Sequence, residues 1–132
     1  MELKAVSDIS AQVEKTKSRL KQIEDSIQRL TRANDGLPKS KVDDRLGNLI
    51  SLKIDLASEL TSLELKLDEE KTKLFNQLMS AEMSIPAREV LIRRYVELQR
   101  FKVIAAEMRY SEPHIYYLHK IGRKAFYGAI RA

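Results

Sequence analysis

The spacing of apolar residues predicts a long helix in the first quarter of the chain. Between residues 3 and 33, one set of seam residues recurs every seven positions: Val6, Val13, Leu20 and Ile27. A second set fills the alternate seam position: Ile9, Thr16, Ile23 and Leu30. Most positions between them are Lys, Glu, Gln or Ser, as on the solvated surface of a coiled coil. The turn-forming run Asn34–Pro38 then predicts the end of this helix.

A second periodic segment runs from about Val42 to Glu82. Lys53 and Glu70 interrupt its leucine heptad, which consists of Leu46, Leu49, Leu56, Leu60, Leu63, Leu67 and Leu74. Further apolar residues make the stripe wider than one coiled-coil seam: Ile50, Leu52, Ile54, Leu65 and Phe75. That width indicates a second contact face, toward either another chain or the C-terminal part. A single helix cannot bury such a stripe alone, so hairpin folding, dimerisation or both are required.

The pattern changes at Ser84-Ile85-Pro86, because proline favours the first turn of a helix and disfavours helix at the residue before it. Three shorter helices are predicted after this point, over about Pro86–Leu98, Phe101–Arg109 and, capped by Ser111, on to about Ile130. The predicted fold class is therefore all-α. A long N-terminal antiparallel helical hairpin, a coiled coil expected to serve oligomerisation, occupies residues 1–84. A three-helix helix-turn-helix domain occupies residues 85–132.

The charge balance separates the two parts. The chain carries 24 Lys and Arg against 19 Asp and Glu, a net charge of +5. Residues 1–84 hold 14 basic and 15 acidic residues, whereas residues 85–132 hold 10 and 4, a balance of +6. A basic surface alone explains this equally well, but the asymmetry is also typical of a segment that meets a polyanion. With no cysteine, secretory signal or transmembrane run, we expect a cytoplasmic protein with no membrane partner.

The segment from Phe101 to Lys120 fits the twenty-residue helix-turn-helix template. Its apolar and small positions are filled by Ile104, Ala105, Met108, Tyr110, Ile115 and Leu118. Arg109 stands at the turn position usually taken by glycine, where a left-handed conformation costs a non-glycine residue about 1 kcal/mol. A plain three-helix bundle is the alternative interpretation.

The helical period assigns two faces to the last helix. One face is apolar: Ile115, Leu118, Gly122, Ala125, Phe126 and Ala129. The opposite arc carries tyrosines, cations and a proline: Pro113, Tyr116, Tyr117, Lys120, Lys124, Tyr127 and Arg131. Because the N-terminal residues of a recognition helix read bases and later ones meet phosphates, this face is predicted to bind double-stranded DNA.

The candidate DNA-binding residues follow from that face. Near the bases we place Ser111, Glu112, Pro113, Tyr116 and Tyr117. Near the phosphates we place Lys120, Arg123 and Lys124. Further phosphate contacts are expected from the two preceding helices, through Arg88, Arg93, Arg94, Arg100 and Lys102, although Arg93 can instead pair with Glu89 and Arg94 can brace the domain. For the tyrosines the alternative is packing against neighbouring helices or a dimer partner.

Other chemistry is absent from the sequence pattern. His114 and His119 lie about 140° apart on a helix, so they cannot share a metal from one face. No glycine-rich phosphate loop, nucleophile–base order or paired carboxylate motif is visible. We therefore expect neither an enzyme nor a cofactor or metal site.

The segment from Pro86 to Phe126 resembles region 4 of bacterial sigma factors and the related C-terminal domains of phage late-transcription regulators. The elements that carry this resemblance are Glu89-Val90-Leu91, Arg94-Tyr95, Ile104-Ala105-Ala106-Glu107, Tyr110-Ser111 and Ile115-Tyr116-Tyr117-Leu118-His119. Gly36-Leu37-Pro38, followed by Val42-Asp43-Asp44-Arg45-Leu46 and a leucine-rich helix, is similar to small phage proteins of the RinA and ArpU type.

The resemblance implies a protein of four to five helices in the cytoplasm of a bacterial host cell, where it binds promoter DNA and contacts bacterial RNA polymerase. Its promoter-reading positions correspond to Glu112, Pro113, Tyr116 and Tyr117. Proline and tyrosines replace the charged or amide residues common at several of these positions, which argues against the promoter sequence specificity of sigma factors. Two functions stay open: a dimeric, sequence-specific DNA-binding transcription regulator, and a coiled-coil interaction module that binds RNA polymerase or another protein without reading DNA.

Overall fold

The computed structural model describes residues 3–32 and 39–131, without the side chains of residues 130 and 131. Every regular element in those ranges is helical: α1 Ala5–Arg32, α2 Lys39–Ser80, α3 Ile85–Leu91, α4 Phe101–Met108 and α5 Glu112–Arg131. A π-helical turn, Ile92–Val96, continues α3. The prediction of an all-α protein is confirmed. The predicted break at Asn34–Pro38 lies outside the described residues.

The chain divides into two compact units. The long-helix unit is Ile9–Lys66, and the C-terminal unit combines Met1–Asp8 with Leu67–Ala132. The first turn of α1 and the last turns of α2 therefore belong to the C-terminal unit. The sequence placed its boundary at residues 84 and 85 instead, and independent folding of residues 85–132 stays a prediction.

The long-helix unit follows the predicted heptads. In its part of α1, Ile9, Val13 and Thr16 are buried. The later seam residues of α1 are half-buried: Leu20, Ile23, Ile27 and Leu30. The same holds for the leucines of α2 in this unit: Leu46, Leu49, Leu56, Leu60 and Leu63. Lys53 Nζ of α2 lies 4.0 Å from Glu24 Oε1 of α1, so the two helices run within side-chain reach of each other there.

The C-terminal unit has two apolar clusters. The first joins the start of α1 and the end of α2 to the later helices through Leu3, Val6, Leu74, Leu78, Ala81, Leu91, Ile92 and Phe126. The second lies between α3, α4 and α5 and consists of Ala87, Val90, Ile104, Ala105, Ile115 and Leu118. Since Leu91 and Phe126 lie in the first cluster while Ala87 and Leu118 lie in the second, α3 and α5 contribute to both.

Two local devices fix the start of α3. The Ser84 hydroxyl accepts a hydrogen bond from the Ala87 N–H at 3.4 Å, and Pro86 occupies the first turn. The Arg88 side chain donates to the carbonyl oxygens of Leu78 in the last turn of α2 (Nε, 3.0 Å) and of Ala81 just after that helix (Nη2, 2.8 Å). The helix start expected at Ser84-Ile85-Pro86 is thus confirmed.

Candidate nucleic-acid interface

The turn between α4 and α5 has the backbone that the sequence template requires. Arg109 adopts φ 60° and ψ 41°, the left-handed conformation. The backbone N–H groups of Arg109 and Tyr110 both donate to the Ala105 carbonyl, the latter at 3.0 Å, and so end α4. This arrangement is a helix C-terminus of the kind that glycine usually occupies. Arginine therefore accepts the left-handed conformation that the template assigned to it.

The inner faces of α4 and α5 pack against each other as predicted. Ile104 and Ala105 of α4 and Ile115 and Leu118 of α5 are all buried in the second cluster. Met108 packs against the same cluster. Tyr110, which fills an apolar position of the template, instead keeps 39% of its surface exposed. The close approach of the two helices thus rests on four small or branched side chains.

The start of α5 is fixed by Ser111, as the sequence predicted. Its hydroxyl accepts a hydrogen bond from the His114 N–H at 3.3 Å. Glu112, the first residue of α5, is the acidic residue of the first turn, where a negative charge is favoured. The Ser111 oxygen therefore has a structural role in addition to the base contact predicted for it.

All eight candidate DNA-binding residues are exposed: Ser111, Glu112, Pro113, Tyr116, Tyr117, Lys120, Arg123 and Lys124. The two tyrosines keep 52% (Tyr116) and 57% (Tyr117) of their surfaces accessible. On the predicted buried side, Ala129 is exposed and so does not belong to the core. On the predicted outer arc, Tyr127 is half-buried and packs against the first cluster, so this part of the arc is not free surface.

Aromatic contacts hold the exposed tyrosines in place. The His114 ring lies between Tyr110 (4.7 Å between centroids, edge-on) and Tyr117 (6.3 Å, stacked). Tyr116 packs on Phe101 of α4 with centroids 4.9 Å apart. This stack was not predicted from the sequence, where His114 was weighed only as a metal ligand. The i, i+3 spacing of His114 and Tyr117 on α5 indicates one half of it, whereas Tyr110 lies in the turn before the helix.

His119 joins α5 to the π-helical turn. Tyr95 Oη and His119 Nε2 are 2.6 Å apart, a hydrogen bond in which the phenol donates when Nε2 carries no proton. The Phe101 ring meets His119 edge-on at 4.9 Å. Burial lowers the pKa of His119 to about 4, and the charges of Arg123 and Arg94 act in the same direction. Burial also raises the pKa of Tyr95. His119 is therefore a neutral hydrogen-bond partner at neutral pH.

The basic residues of α3 and the π-helical turn have partners inside the protein. Arg93 pairs with Glu89 at 2.7 Å and also with Glu107, and the hydrogen bond that Arg93 donates to Glu89 contributes most to raising its pKa. Arg94 donates to the Gln99 carbonyl at 3.1 Å and stacks its guanidinium 4.3 Å from the Phe101 ring centroid. The ion pair with Glu89 and the bracing role of Arg94 are confirmed. Arg88, as described above, caps the end of α2 rather than facing outward.

Within residues 85–129, the exposed cations therefore lie at the start of α4 or on it, in the turn that follows, and on α5. They are Arg100, Lys102, Arg109, Lys120, Arg123 and Lys124. The Arg123 guanidinium also lies 5.9 Å from the Tyr127 ring centroid. Among the described residues, no three or more His, Asp or Glu side chains form a group that could hold a metal ion. In the same part of the chain, no helix combines the length and apolar character needed to cross a bilayer.

Comparisons of the chain with protein-family models, with curated proteins and with solved structures find no match.

Proposed function

We propose that this protein is a sequence-specific DNA-binding transcription regulator that reads promoter or operator DNA with α5. The observation that carries this proposal is the pair α4 and α5, joined through a left-handed residue and packed by their inner faces, with an outer face of tyrosines and cations. A helix presented in this way can enter the major groove, which is about 12 Å wide.

The chemistry of the outer face suits DNA at each step along the helix. Glu112 can accept a hydrogen bond from a cytosine amino group, and the rings of Tyr116 and Tyr117 can contact thymine methyl groups. Lys120, Arg123 and Lys124, one to three turns farther on, can neutralise phosphates. The His114 stack reduces the freedom of the Tyr117 ring before binding, which lowers the entropy lost in the complex.

The same proposal assigns the long helices to a hairpin that forms a homodimer. Glu24 and Lys53, at 4.0 Å, and the lines of half-buried seam residues on α1 and α2 support antiparallel packing within the chain. A dimer would read two half-sites about 34 Å apart or a multiple of that spacing. The resemblance to phage late-transcription regulators adds bacterial RNA polymerase as a candidate further partner.

The test is selection of bound sequences from a pool of random DNA duplexes, followed by sequencing. We expect an enriched motif that the double variant Tyr117→Ala/Lys120→Ala binds at least about tenfold more weakly. The matched control is Phe75→Ala/Lys73→Ala, which removes an exposed ring and one positive charge from α2. The assignment of α5 fails if no motif emerges, or if both double variants lose affinity equally.

A second function, binding to another protein without reading DNA, is favoured by one specific observation. Ile54 and Leu65 of α2 keep 63% and 61% of their surfaces exposed, which is unusual for large aliphatic residues of a helix with one apolar face already used. The DNA selection distinguishes the two functions, because a protein that binds only other proteins would enrich no DNA motif.

A further inference from the structure

The exposed apolar residues of α2 in the long-helix unit are not scattered. Ile50, Ile54 and Leu65 are 43%, 63% and 61% exposed. Together with the exposed Ala57 and Thr61 they fall within about 80° of one another around the helix. We call these five residues the outer stripe. Its centre lies about 110° around α2 from the half-buried leucines, so it forms a separate face.

Small side chains border the outer stripe on one side. Ser51, Ser58 and Ser62 lie next to it and are exposed. A Cβ atom built onto Gly47, one turn before the stripe, would meet nothing within 4 Å. A second helix could therefore approach the backbone of α2 closely along this face, as small residues permit at helix contacts.

The stripe is complementary to its own reversed copy. If two α2 helices lie antiparallel, with the two-fold axis between residues 57 and 58, Ile50 faces Leu65 of the second copy and Ile54 faces Thr61. Ala57 and Ser58 then cross at the axis, where their small size allows the closest approach. Each large aliphatic side chain of one stripe thus meets a residue of the other stripe.

Charges beside the stripe decide between antiparallel and parallel pairing. Lys53 and Glu64 border the same edge of the stripe, at about 300° and 320° around α2 from Ile50. In the antiparallel pair, the level of Lys53 differs from that of Glu64 of the second copy by two residues, about 3 Å. In a parallel pair the equivalent edges would lie on opposite sides of the contact, so Lys53 and Glu64 would face the edge that carries Ser51 and Ser58 and would gain no opposite charge. Lys53 also approaches Glu24 within its own chain at 4.0 Å, yet its side chain stays 47% exposed, with room for a second carboxylate.

We infer that the outer stripe binds a second copy of this chain, with the two α2 helices antiparallel about residues 57 and 58. This inference rests on the homodimer of the proposed function and names its contact face and direction. It does not depend on DNA readout, so failure of the DNA selection would leave it standing. The contact extends over about 22 Å of helix, from Ile50 to Leu65. That length gives a small interface of the reversible class, so dimerisation should depend on concentration.

The first experiment measures the molar mass of the full chain by sedimentation equilibrium over a wide concentration range, without DNA. The variants are Ile54→Glu, on the stripe, and Leu52→Glu, on the same helix, 44% exposed and about 160° from Ile54. We expect Ile54→Glu to weaken dimerisation at least about tenfold, because each dimer would bury two carboxylates. Leu52→Glu should dimerise as the parent does. A parent chain that is monomeric throughout, or two variants that behave alike, would overturn the inference.

Charge reversal tests the direction of pairing. Lys53→Glu and Glu64→Lys should each weaken the dimer, because each places like charges on opposite chains. The double variant Lys53→Glu/Glu64→Lys should recover the dimerisation of the parent, although the contact of residue 53 with Glu24 stays lost. Weakening in the double variant equal to the sum of the two single effects would contradict the antiparallel contact.

Cysteine cross-linking gives an independent readout of direction, since the chain has no cysteine of its own. Under mild oxidation, a mixture of Ile50→Cys and Leu65→Cys chains should form the mixed disulfide in preference to either symmetric one. Ala57→Cys should cross-link with itself. Preferential formation of the symmetric Ile50→Cys dimer would instead show a parallel pair and refute the proposed arrangement.

Discussion

At the scale of single residues, the candidate interface contains side chains that stabilise the fold and are also proposed to contact DNA. Ser111 caps α5 at the position where base contacts are expected. Tyr116 and Tyr117 each pack one side on an aromatic neighbour and expose the other. Such anchoring restricts their rotamers, and a restricted side chain loses less entropy when it binds.

His119 gives the clearest prediction at this scale. Its pKa is about 4 in the folded protein against an ordinary value of 6.5, so between these values the unfolded chain binds more protons. The free energy of unfolding should therefore fall as the pH drops from 6.5 to 4, by about 1–2 kcal/mol for this residue after allowance for solvent screening. Chemical denaturation at a series of pH values measures the effect.

The control for His119 is the other histidine. His119→Gln should remove this part of the pH dependence, whereas His114→Gln should keep it, because His114 is exposed on the surface of α5. Carboxylates also titrate in this range, so the comparison is the difference between each variant and the parent. Equal pH dependence in the parent and His119→Gln would refute the role assigned to burial.

At the scale of helices, the contact of α3 with α5 depends on a close approach at Gly122. An added Cβ would lie 3.1 Å from Leu91 Cδ1 and Cγ and 3.3 Å from the Ala87 carbonyl oxygen. Leu91 is fully buried and cannot move freely, and the carbonyl belongs to a helix backbone. Gly122→Ala should therefore lower the free energy of unfolding by about 1–2 kcal/mol, because the clash outweighs the gain in helix propensity.

Gly128, also in α5, shows the effect of helix propensity on the free energy of unfolding without a steric clash. A Cβ there would meet nothing within 4 Å. Gly128→Ala should raise the free energy of unfolding by at most about 1 kcal/mol. Denaturant titrations of the two variants and the parent measure these changes in the free energy of unfolding. If Gly122→Ala raised it, α3 and α5 would be able to move apart at little cost.

The helices themselves were accessible from sequence, because apolar period and caps are local signals. The seam residues indicated the two long helices, and Ser84, Pro86 and Ser111 indicated where α3 and α5 begin. The helix-turn-helix template indicated the left-handed conformation of Arg109. The left-handed Leu98 (φ 59°) and the π-helical turn before it were not foreseen. The backbone hydrogen bonds of this turn run from the Glu97 N–H to the Ile92 carbonyl and from the Gln99 N–H to the Arg93 carbonyl. Leu98 and Val96 pack on the first cluster, whose residues are distant in sequence, so the period of apolar residues does not reveal this turn.

In the candidate site, too, local sequence signals predict some features, while others depend on contacts between residues distant in sequence. The exposed face of α5 follows from helical period, so the exposure of the candidate residues on it could be predicted from sequence, while their contact with DNA stays a prediction. The role of Arg88 could not, because it depends on the carbonyls of Leu78 and Ala81 lying within reach. Nor could the burial of His119, since its partners Tyr95 and Phe101 come from two other elements.

At the scale of the whole molecule, the distribution of charge is the property that matters for a polyanionic partner. Residues 85–132 carry a net charge of +6, but Arg88, Arg93 and Arg94 are engaged within the protein. The exposed cations of α4, the turn and α5 therefore set how many phosphates can be neutralised. Each phosphate contact contributes about −0.9 to the slope of log K against log salt concentration.

The salt dependence of DNA binding tests which of these cations contact phosphates. Titration of the parent with its selected duplex at several salt concentrations should give a slope of about −5 if all six exposed cations make contact. Lys120→Gln and Lys124→Gln should each make the slope shallower by about 1. Lys21→Gln removes an exposed cation of α1 and should leave the slope unchanged, because that helix is assigned to the hairpin. If Lys21→Gln and Lys120→Gln changed the slope equally, net charge rather than the face of α5 would govern binding.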